Sequence, residues 1–362
     1  MRNICFVTYD MSVLGGAEKV AETLANALTC KYRVYVISIF GKNKEIPYKF
    51  NDKVAYIALF EEEMRLRNTM TSVYKPLKKF LKDKNIGDAI VMGNYAGIST
   101  SLVAYFSKCR FYFCDHGALM NQCERKDIRY IRRISAFVSH KVVTLTKRSK
   151  NDYIERFHLK KSKVCYIYNS IDDATLENAH EYNEGSKLLL SVGRFGKEKG
   201  YDMLVKVAKL IFAEQNDWQW HIYGDGETFL ETKKLIEENG LCDKVILKGR
   251  SDNIPKLYKD YGVFVLTSYR EGLPLVLLEA KANNLPIVSF DCMTGPAEIV
   301  ENNVNGYLIP TYDIECMADK LLELIGNDEK RRTFAANASK GIEQFSKETI
   351  VNKWIELIES ER

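Results

Sequence analysis

The chain has 362 residues, which exceeds the usual size of one domain and predicts two. Hydrophobic residues make up 46% and charged residues 28%, which is typical of a soluble globular protein and excludes disordered, fibrous and membrane-spanning classes. The net charge of +5 divides unevenly: residues 1–172 hold 30 Lys and Arg against 16 Asp and Glu, a net +14, whereas residues 173–362 hold 23 against 32, a net −9. Such a difference in net charge between the two halves is informative about binding partners rather than about the fold.

Short apolar runs alternate with longer amphipathic segments, a pattern typical of βαβ units with a mostly parallel sheet. In the first half, helices are predicted over residues 16–29 and 71–85. The apolar runs predict strands over residues 4–9, 34–40, 89–92, 110–113, 141–144 and 164–167. A polar stretch over 170–186 has little to bury, and we predict that it is the interdomain linker.

The alternation restarts after this stretch. Helices are predicted to begin at Tyr201 and near Thr228, and the chain reads as helical from Tyr312 to its end. The strands predicted in this half cover residues 188–192, 219–223, 245–247, 263–266 and 287–289. We therefore expect an α/β protein with two doubly wound domains, whose ligands would bind at the carboxyl ends of the strands.

The cysteines and the N-terminal residues indicate the cellular compartment. Nine cysteines form no Cys-x-x-Cys pair and lie mostly inside apolar runs, which favours reduced thiols over disulfides or a zinc site. The first apolar run reaches Asp10 too soon for a signal peptide, and no stretch approaches the ~18 uninterrupted apolar residues of a spanning helix. We expect a cytoplasmic protein, either in solution or peripheral on the inner face of the cytoplasmic membrane.

Three glycine-containing turns follow predicted strands. Gly15 and Gly16 precede the first long helix, whose N-terminus carries partial positive charge and can face an anion; an ordinary glycine turn before a helix is the alternative. Arg194 and Lys199 follow the strand over 188–192, and a guanidinium with an ammonium suits a pyrophosphate; a solvated basic loop is the alternative. The turn over 224–226 reads Gly-x-Gly without a third glycine, which does not support an NAD site.

The most specific passage covers residues 269–279. Glu271 ends a strand-to-loop segment, and Glu279 follows eight positions later on a helix that begins near Pro274. Proline at a helix start needs no amide partner, so the free amides of the first turn can face a phosphate. Two unrelated carboxylates around an amphipathic helix would explain any one of these features, but not all of them together.

These motifs resemble the GT4 family of retaining glycosyltransferases. The resemblance rests on the Glu-x7-Glu element enclosing Gly-Leu-Pro, on Gly-Arg-Phe…Lys-Gly, on Gly-Asp-Gly and on the N-terminal Gly-Gly-Ala-Glu. It extends over essentially the whole chain and is densest over 188–310. Residues 290–300 and 305–310 are similar to members that build bacterial capsule, O-antigen and other lipid-linked oligosaccharides.

The resemblance implies a GT-B fold, in which two Rossmann-like domains face each other across a cleft. An acceptor-binding domain would cover residues 1–172, and a donor-binding domain would cover 187–345. The last segment, 346–362, would return as a helix to the N-terminal domain.

The resemblance also implies roles for individual residues. Glu271 would contact the donor sugar near its reacting carbon, and His116 would contact the donor sugar and the acceptor side; for His116 alone, a structural histidine is the alternative. Glu279 would bind the ribose hydroxyls. The resemblance implies further donor-binding residues, which would lie beside the diphosphate or the base, or in the first turn of the helix near Pro274. They are Gly16, Arg194, Lys199, Arg250, Gly272, Leu273, Leu275 and Val276.

The implied reaction is retaining transfer of a hexose or N-acetylhexosamine from a UDP-sugar to a saccharide acceptor, with lipid-linked acceptors expected. Charge that develops on the leaving diphosphate requires fixed cations and helix N-termini. The chain has no Asp-x-Asp motif, so we expect cations to take the role of a metal, with no cofactor. The identity of the transferred sugar is inferred only by analogy with relatives. Met293, which stands where relatives often have Pro, does not identify it.

Two basic stripes occur in the positive half. The first comprises Lys75, Lys78, Lys79 and Lys82, and the second comprises Arg125, Arg129, Arg132 and Arg133. Solvated helix faces are the simplest interpretation. The functional alternative is that the N-terminal domain lies on an anionic membrane, where each nearby cation contributes ~1 kcal/mol, and collects a lipid-linked acceptor. Nucleic acid is not an expected partner, because no recognised binding motif accompanies the charge.

Two other functions remain open for a GT-B chain. A UDP-sugar epimerase would need acid–base groups at the sugar, and the Glu-x7-Glu pattern speaks against it. A catalytically silent partner subunit would have no chemical reason to hold Arg194, Lys199, Glu271 and Glu279 together. No motif identifies the acceptor, the linkage or the pathway.

Overall fold

The computed structural model describes residues 1–122, 124–251 and 253–360. The chain forms two compact units. The first comprises Met1–Asn169 together with the C-terminal segment from Glu348 onward, and the second comprises Ser170–Lys347. Each unit contains one parallel sheet flanked by helices, which confirms the predicted doubly wound α/β class.

The first unit contains a seven-stranded sheet in the order β3-β2-β1-β4-β5-β6-β7. Its strands are β1 (Arg2–Asp10), β2 (Tyr32–Phe40), β3 (Val54–Ala58), β4 (Ile86–Met92), β5 (Arg110–Asp115), β6 (Lys141–Thr144) and β7 (Val164–Tyr166). Its helices before the second unit are α1 (Gly16–Leu28), α2 (Leu66–Asp83), α3 (Asn94–Tyr105), α4 (Lys126–Val138) and α5 (Lys147–Phe157).

The second unit contains a six-stranded sheet in the order β10-β9-β8-β11-β12-β13. Its strands are β8 (Leu188–Val192), β9 (Gln219–Tyr223), β10 (Val245–Gly249), β11 (Val263–Leu266), β12 (Ile287–Phe290) and β13 (Gly306–Ile309). Its helices are α6 (Asp173–Glu177), α7 (Tyr201–Glu214), α8 (Phe229–Glu238), α9 (Ile254–Leu257), α10 (Leu275–Ala282), α11 (Ile314–Ile325) and α12 (Asp328–Ala338). The last helix, α13 (Lys347–Ser360), begins at the boundary and belongs to the first unit from Glu348 onward.

The central strands consist of continuous apolar runs because helices cover both faces of a parallel sheet. All four residues of β11 are buried, as are the four consecutive residues Ile4, Cys5, Phe6 and Val7 in β1. Every strand predicted from an apolar run is present, with ends that differ by a few residues. The periodicity of hydrophobic residues was therefore sufficient to predict the central part of both sheets.

Two strands were not predicted, and one helix begins earlier than expected. β3 lies at the edge of the first sheet and is only partly buried, and β13 has four residues and begins with a glycine. Neither resembles the long buried runs at the sheet centres. α2 begins at Leu66 rather than at residue 71, and it contains Pro76.

The segment predicted as an interdomain linker differs in the structure, because it packs within the second unit. Ile171 and Thr175 are buried, and the backbone N–H of Ile171 donates to the carbonyl of Phe345 at 2.9 Å. Tyr182 donates its hydroxyl to the carbonyl of Gly262 at 2.9 Å. These few buried side chains are too widely spaced to be recognised in a polar stretch.

The last helix, α13, packs on the sheet of the first unit. Trp354 and Ile358 are buried, as their helical spacing predicts. The guanidinium of Arg110 donates to the carbonyl of Ile358 at 3.2 Å, and the hydroxyl of Tyr32 donates to Glu359 at 2.8 Å. None of the helices formed by the described ranges is both long and apolar enough to cross a membrane.

The strand orders define one switch point in each sheet. β1 lies between β2 and β4 in the first unit, and β8 lies between β9 and β11 in the second. Chain connections leave toward opposite sides at these positions, which opens a crevice outside the carboxyl ends of the two central strands. The loops after β8 and β11 are therefore neighbours, although they are about 70 residues apart in the sequence.

Two glycines with the same backbone conformation allow a matched test of this packing. Gly200 (φ +64°) and Gly240 (φ +65°) are both left-handed, but a Cβ at 200 would lie 2.1 Å from the carbonyl oxygen of Thr267, whereas a Cβ at 240 meets open space. Alanine in this conformation costs roughly 1–2 kcal/mol at either position. We expect Gly200→Ala to lower the free energy of unfolding by about 2 kcal/mol more than Gly240→Ala does.

Urea unfolding followed by tryptophan fluorescence measures this difference, since two of the three tryptophans, Trp218 and Trp220, lie in the second unit. Equal destabilisation by the two variants would show that the loop after β8 does not depend on its approach to β11.

Candidate active site

An ion pair joins the two loops at the switch point of the second sheet. Lys199 ends a short 3₁₀ turn (Lys197–Lys199) after β8, and Glu271 lies in the loop after β11. The Lys199 Nζ is 2.7 Å from the Glu271 Oε1, with side-chain exposures of 20% and 9%. The structure therefore brings together an implied diphosphate cation and an implied catalytic carboxylate, and both remain within reach of solvent.

Hydrogen bonds fix the backbone on both sides of this pair. The Thr267 hydroxyl donates to the carbonyl of Lys199 at 3.2 Å, and the backbone N–H of Tyr269 donates to the carbonyl of Glu198 at 2.8 Å. The Thr294 hydroxyl donates to the carbonyl of Glu271 at 2.6 Å. Three loops, after β8, β11 and β12, thus interlock around the two charges, so little reorganisation is needed to hold them.

The loop over 272–274 packs against Gly295. Gly295 has φ +101°, and a Cβ there would lie 2.6 Å from Pro274 Cδ and 2.8 Å from the carbonyl oxygen of Gly272. Pro274 precedes α10, and the Leu273 side chain is buried. Helix α10 begins at Leu275, so the backbone N–H groups of Leu275 and Val276 lie in a first turn that has no preceding helical carbonyls to bind.

Glu279 lies in the second turn of α10 and is not part of the ion pair. Its Oε2 accepts a hydrogen bond from the hydroxyl of Tyr258 at 2.6 Å, and Tyr258 is fully buried. Burial raises the pKa of Glu279, and the hydrogen bond from Tyr258 opposes part of that rise. Tyr258 uses one of the acceptor positions of the carboxyl group, which leaves others for a ligand hydroxyl.

The two implied arginines are exposed and separate from the ion pair. Arg194 follows β8 and donates to Glu198 at 2.7 Å. Burial acts to raise the pKa of Glu198, but the hydrogen bond from Arg194, a backbone hydrogen bond and the charges of Arg194 and Lys199 together hold that pKa below its usual value. Arg250 follows β10, which lies two strands away from β8 in the sheet.

The Gly-x-Gly turn supports the loop that carries Arg194. A Cβ at Gly224 would lie 1.9 Å from the carbonyl oxygen of Gly193, and a Cβ at Gly226 would lie 2.5 Å from that of Phe195. The backbone N–H of Phe195 donates to the carbonyl of Asp225 at 2.9 Å. Both glycines are thus required by close backbone packing, which accounts for the pattern without a dinucleotide site.

In the first unit, His116 directly follows β5. Its Nε2 is buried and has no hydrogen-bond partner among the described residues. Burial lowers the pKa of His116 to about 4, so the imidazole is neutral at pH 7. A buried ring nitrogen without a hydrogen-bond partner among the described residues is uncommon, because most buried polar atoms in proteins are paired.

A buried ionic network lies immediately behind His116. The Asp115 Oδ2 is 3.1 Å from Arg132 Nε and accepts from the Tyr153 hydroxyl at 2.7 Å, and its Oδ1 accepts from the N–H of Gly117 at 3.0 Å. Arg132 is 1% exposed. The prediction that Arg132 belongs to an exposed basic stripe is therefore wrong: its guanidinium points inward because it pairs with the buried Asp115.

The N-terminus of α1 is exposed at Gly16, where a Cβ would meet no atom within 4 Å. The preceding Gly15 donates its N–H to the Tyr48 hydroxyl at 2.8 Å, which orders the turn. Glu18 lies in the first turn of the same helix, and burial raises its pKa. This carboxyl group already uses part of the electrostatic field of the helix N-terminus.

The first basic stripe lies on the exposed face of α2, opposite the buried Val73, Leu77 and Leu81. Its members are Lys75, Lys78, Lys79 and Lys82, of which Lys78 donates to the Tyr74 hydroxyl at 2.7 Å and Lys79 pairs with Asp83 at 2.5 Å. In the second stripe, Arg129 and Arg133 are exposed on α4, and Arg125 pairs with Asp127 at 2.6 Å.

Comparison with known proteins identifies the family. The model "Glycosyl transferases group 1" matches residues 172–341, and "Glycosyltransferase Family 4" matches residues 14–175, so that together they cover 14–341. This chain belongs to the glycosyltransferases. The resemblance inferred from its motifs is thereby confirmed.

The names of two relatives of this glycosyltransferase state the sugar that each of them transfers. A poly(ribitol-phosphate) alpha-N-acetylglucosaminyltransferase of Staphylococcus aureus is 33% identical over 60% of the chain, which spans 44% of that enzyme's length. An alpha-1,4-N-acetyl-D-galactosaminyltransferase of Campylobacter jejuni, named for a saccharide-PP-undecaprenol substrate, is 27% identical over 99% of this chain and 98% of its own.

Solved structures confirm the GT-B architecture. HepE of Anabaena, solved in complex with UDP, has a TM-score of 0.82 and 17% identity, and the match covers 99% of this chain and 100% of that one. At this level of identity the comparison concerns the fold of the glycosyltransferase alone.

Several residues that shape the site were not found from the sequence. Tyr258 and Thr294 are single residues that contact Glu279 and the Glu271 backbone from other loops, and no local pattern marks them. Asp115, by contrast, directly precedes His116 at a strand end. A carboxylate in that position indicates that a cationic or hydrogen-bonding side chain lies nearby. Its partners, Arg132 and Tyr153, lie 17 and 38 residues further along the chain.

The neutral His116 generates a prediction about pH. Because its pKa in the folded glycosyltransferase is about 4, below the usual 6.5, the unfolded chain binds more protons between these values. Stability therefore falls as the pH drops from about 6.5 to 4, and His116→Asn removes this contribution.

Histidine NMR titration provides the measurement. Burial also lowers the pKa of His221 to about 4, so two imidazole resonances are expected to titrate there. His116→Asn should remove one of them and His221→Gln the other. If the resonance lost in His116→Asn titrates near 6.5, the imidazole is not held neutral by burial.

Proposed function

We propose that this glycosyltransferase moves a hexose or N-acetylhexosamine from a UDP-sugar to a saccharide acceptor, with retention of configuration and without a metal. We further propose that the acceptor is lipid-linked and that the product belongs to a bacterial surface polysaccharide or glycan. The name of the Campylobacter jejuni relative, which includes a saccharide-PP-undecaprenol, supports a lipid-linked acceptor. The name of the Staphylococcus aureus relative supports transfer of an N-acetylhexosamine.

The observation that carries the proposal is the Lys199–Glu271 pair at the switch point of the second sheet. A lysine ammonium has three N–H donors, and the contact with Glu271 uses one of them, which leaves two for phosphate oxygens. The first-turn amides of α10 add uncharged donors beside the same loop. These groups match the charge that develops on a departing diphosphate.

The proposed step breaks the bond between the anomeric carbon and the diphosphate oxygen, and UDP leaves with the electron pair. The acceptor hydroxyl oxygen bonds to the anomeric carbon on the same face, and its proton passes to the departing phosphate oxygen. Lys199 stabilises the negative charge on UDP. The fixed carboxylate of Glu271 stabilises the positive character that develops on the sugar ring.

Other residues are proposed to bind rather than to react. Glu279 would accept hydrogen bonds from the ribose hydroxyls, next to Tyr258. The neutral imidazole of His116 would bind a hydroxyl of the donor sugar or acceptor. The diphosphate and the base would be contacted by Gly16, Arg194 and Arg250.

A pair of neighbouring lysines tests the role of the ion pair. Lys199→Gln removes the partly buried cation, and Lys197→Gln makes the same change at an exposed position two residues earlier. With the UDP-sugar that the unchanged protein uses, we expect Lys199→Gln and Glu271→Gln to lower kcat/KM for UDP release by about 10²–10³-fold. Lys197→Gln should stay within about threefold of the original value, since it breaks no buried interaction.

Steady-state release of UDP gives both constants. A Lys199→Gln variant with undiminished kcat/KM would rule out this lysine as the diphosphate cation.

We also propose that the first unit lies on an anionic membrane surface. Support comes from the basic face of α2 and from two exposed aromatic residues at the end of α3, Tyr105 and Phe106, which are 69% and 58% exposed. Tyr74 of α2 contacts Phe106, so the lysines and the aromatic residues are neighbours. Aromatic and basic side chains together are typical of surfaces that bind the lipid interface.

Sedimentation with phosphatidylglycerol vesicles tests this proposal. Lys75→Gln with Lys82→Gln removes two cations of the face, at ~1 kcal/mol each, and should weaken binding at low salt by about 30-fold. Lys233→Gln with Lys234→Gln removes two charges from α8 of the second unit and should have little effect. High salt should release the unchanged protein. No sedimentation at low salt would eliminate the membrane surface.

A further inference from the structure

A pocket in the first unit is lined mainly by cations and lies outside the residues assigned to the donor. Its volume is about 420 Å³. The lining residues are Lys126, Arg129, Tyr130, Arg133, Arg156 and Phe157. We call it the α4–α5 pocket, after the helices that contribute these residues. Four of the six lining side chains are positively charged and none is acidic.

Three of the cations share one face of α4. Lys126, Arg129 and Arg133 are three and four residues apart and are exposed, whereas the other face of the helix is buried. Like charges at this spacing repel one another and destabilise a helix. Within the described part of the chain, none of the three has an ion-pair partner; the nearby Asp127 pairs with Arg125 instead. An anion in the pocket would relieve this repulsion.

The fourth cation, Arg156, comes from the last turn of α5. Its Nε donates to the sulfur of Met120 at 3.2 Å, which leaves its charge without a paired carboxylate among the described residues. Asp152 lies on the same helix, but it is not among the residues that line the pocket. The lining itself is therefore strongly positive.

The buried network behind His116 fixes both walls of the pocket. Asp115 binds Arg132 of α4 and Tyr153 of α5. Arg132 directly precedes Arg133, and Tyr153 lies one turn before Arg156. The same carboxylate thus sets the positions of both helices, so the cations converge before any ligand binds and less ordering is required on binding.

We propose that the α4–α5 pocket binds a phosphate ester. Arginine forks match phosphate oxygens in a bidentate manner, and a lysine adds a compact charge. The exposed ring of Tyr130 offers an apolar face to the group that the phosphate esterifies. The phosphate would belong to a lipid-linked saccharide acceptor or to an anionic lipid headgroup. Its role as an acceptor subsite rests on the proposed glycosyl transfer, whereas the binding itself does not.

Calorimetric titration of the whole protein with inorganic pyrophosphate tests the pocket. Arg133→Gln with Arg156→Gln should remove one class of site, weakening it about 100-fold, because each charge-assisted contact contributes about tenfold. Arg133→Lys with Arg156→Lys keeps the charge and should recover part of that affinity. Lys31→Gln with Arg33→Gln removes two exposed cations elsewhere in the unit and should leave the site intact.

Lys199→Gln separates this site from the donor site, because it should leave the α4–α5 pocket unaffected. UDP release without acceptor should be unchanged in the Arg133→Gln, Arg156→Gln protein, so a failure of the pocket and a failure of the transferase are distinguishable. If pyrophosphate does not bind, or binds this double variant and the Lys31, Arg33 control equally, the pocket is not a phosphate site.

Vesicles distinguish the two sources of the phosphate. If phosphatidylglycerol headgroups fill the pocket, pyrophosphate should compete with vesicle sedimentation and the double variant should sediment less than the control. If the pocket serves the acceptor, sedimentation should be the same for both proteins while pyrophosphate binding is still lost in the double variant.

Discussion

The ion pair between Lys199 and Glu271 depends on two strands that are distant in sequence but adjacent in the second sheet. Parallel strands end at the same edge, so β8 and β11 deliver their following loops to one place. The loop after β12 then holds the Glu271 backbone through Thr294. Two opposite charges are thereby kept partly buried at a site open to a ligand, where each interacts more strongly with substrate than it would in water.

Much of this arrangement could be predicted from the sequence. Apolar runs revealed the central strands, and Arg194, Lys199 and Glu271 stand at strand ends, where a doubly wound fold collects its ligands. The division of charge into a positive first half and a negative second half also has a structural counterpart, because α2 and α4, which carry exposed cations, lie in the first unit. The acidic second half still contains the partly buried Lys199–Glu271 pair at the switch point.

The features that escaped prediction depend on contacts between distant residues. Arg132 looks like a member of a basic stripe, but its burial follows from Asp115, 17 residues earlier. Tyr258, which begins a short 3₁₀ helix, contacts Glu279 of α10, 21 residues later. β3 and β13 are stabilised by neighbouring strands rather than by their own apolar runs. Helical spacing placed Arg129 and Arg133 on one face, yet only the packed structure shows that Arg156 completes a pocket with them.

The central claim is that this glycosyltransferase activates a UDP-sugar with these loops. Incubation with a panel of UDP-sugars, followed by separation of the nucleotides, tests it most directly. The account predicts slow release of UDP from one donor without acceptor, and faster release when a suitable saccharide acceptor is added. Interconversion of two UDP-sugars would favour an epimerase, and the absence of UDP release from every donor, with or without acceptor, would contradict the account.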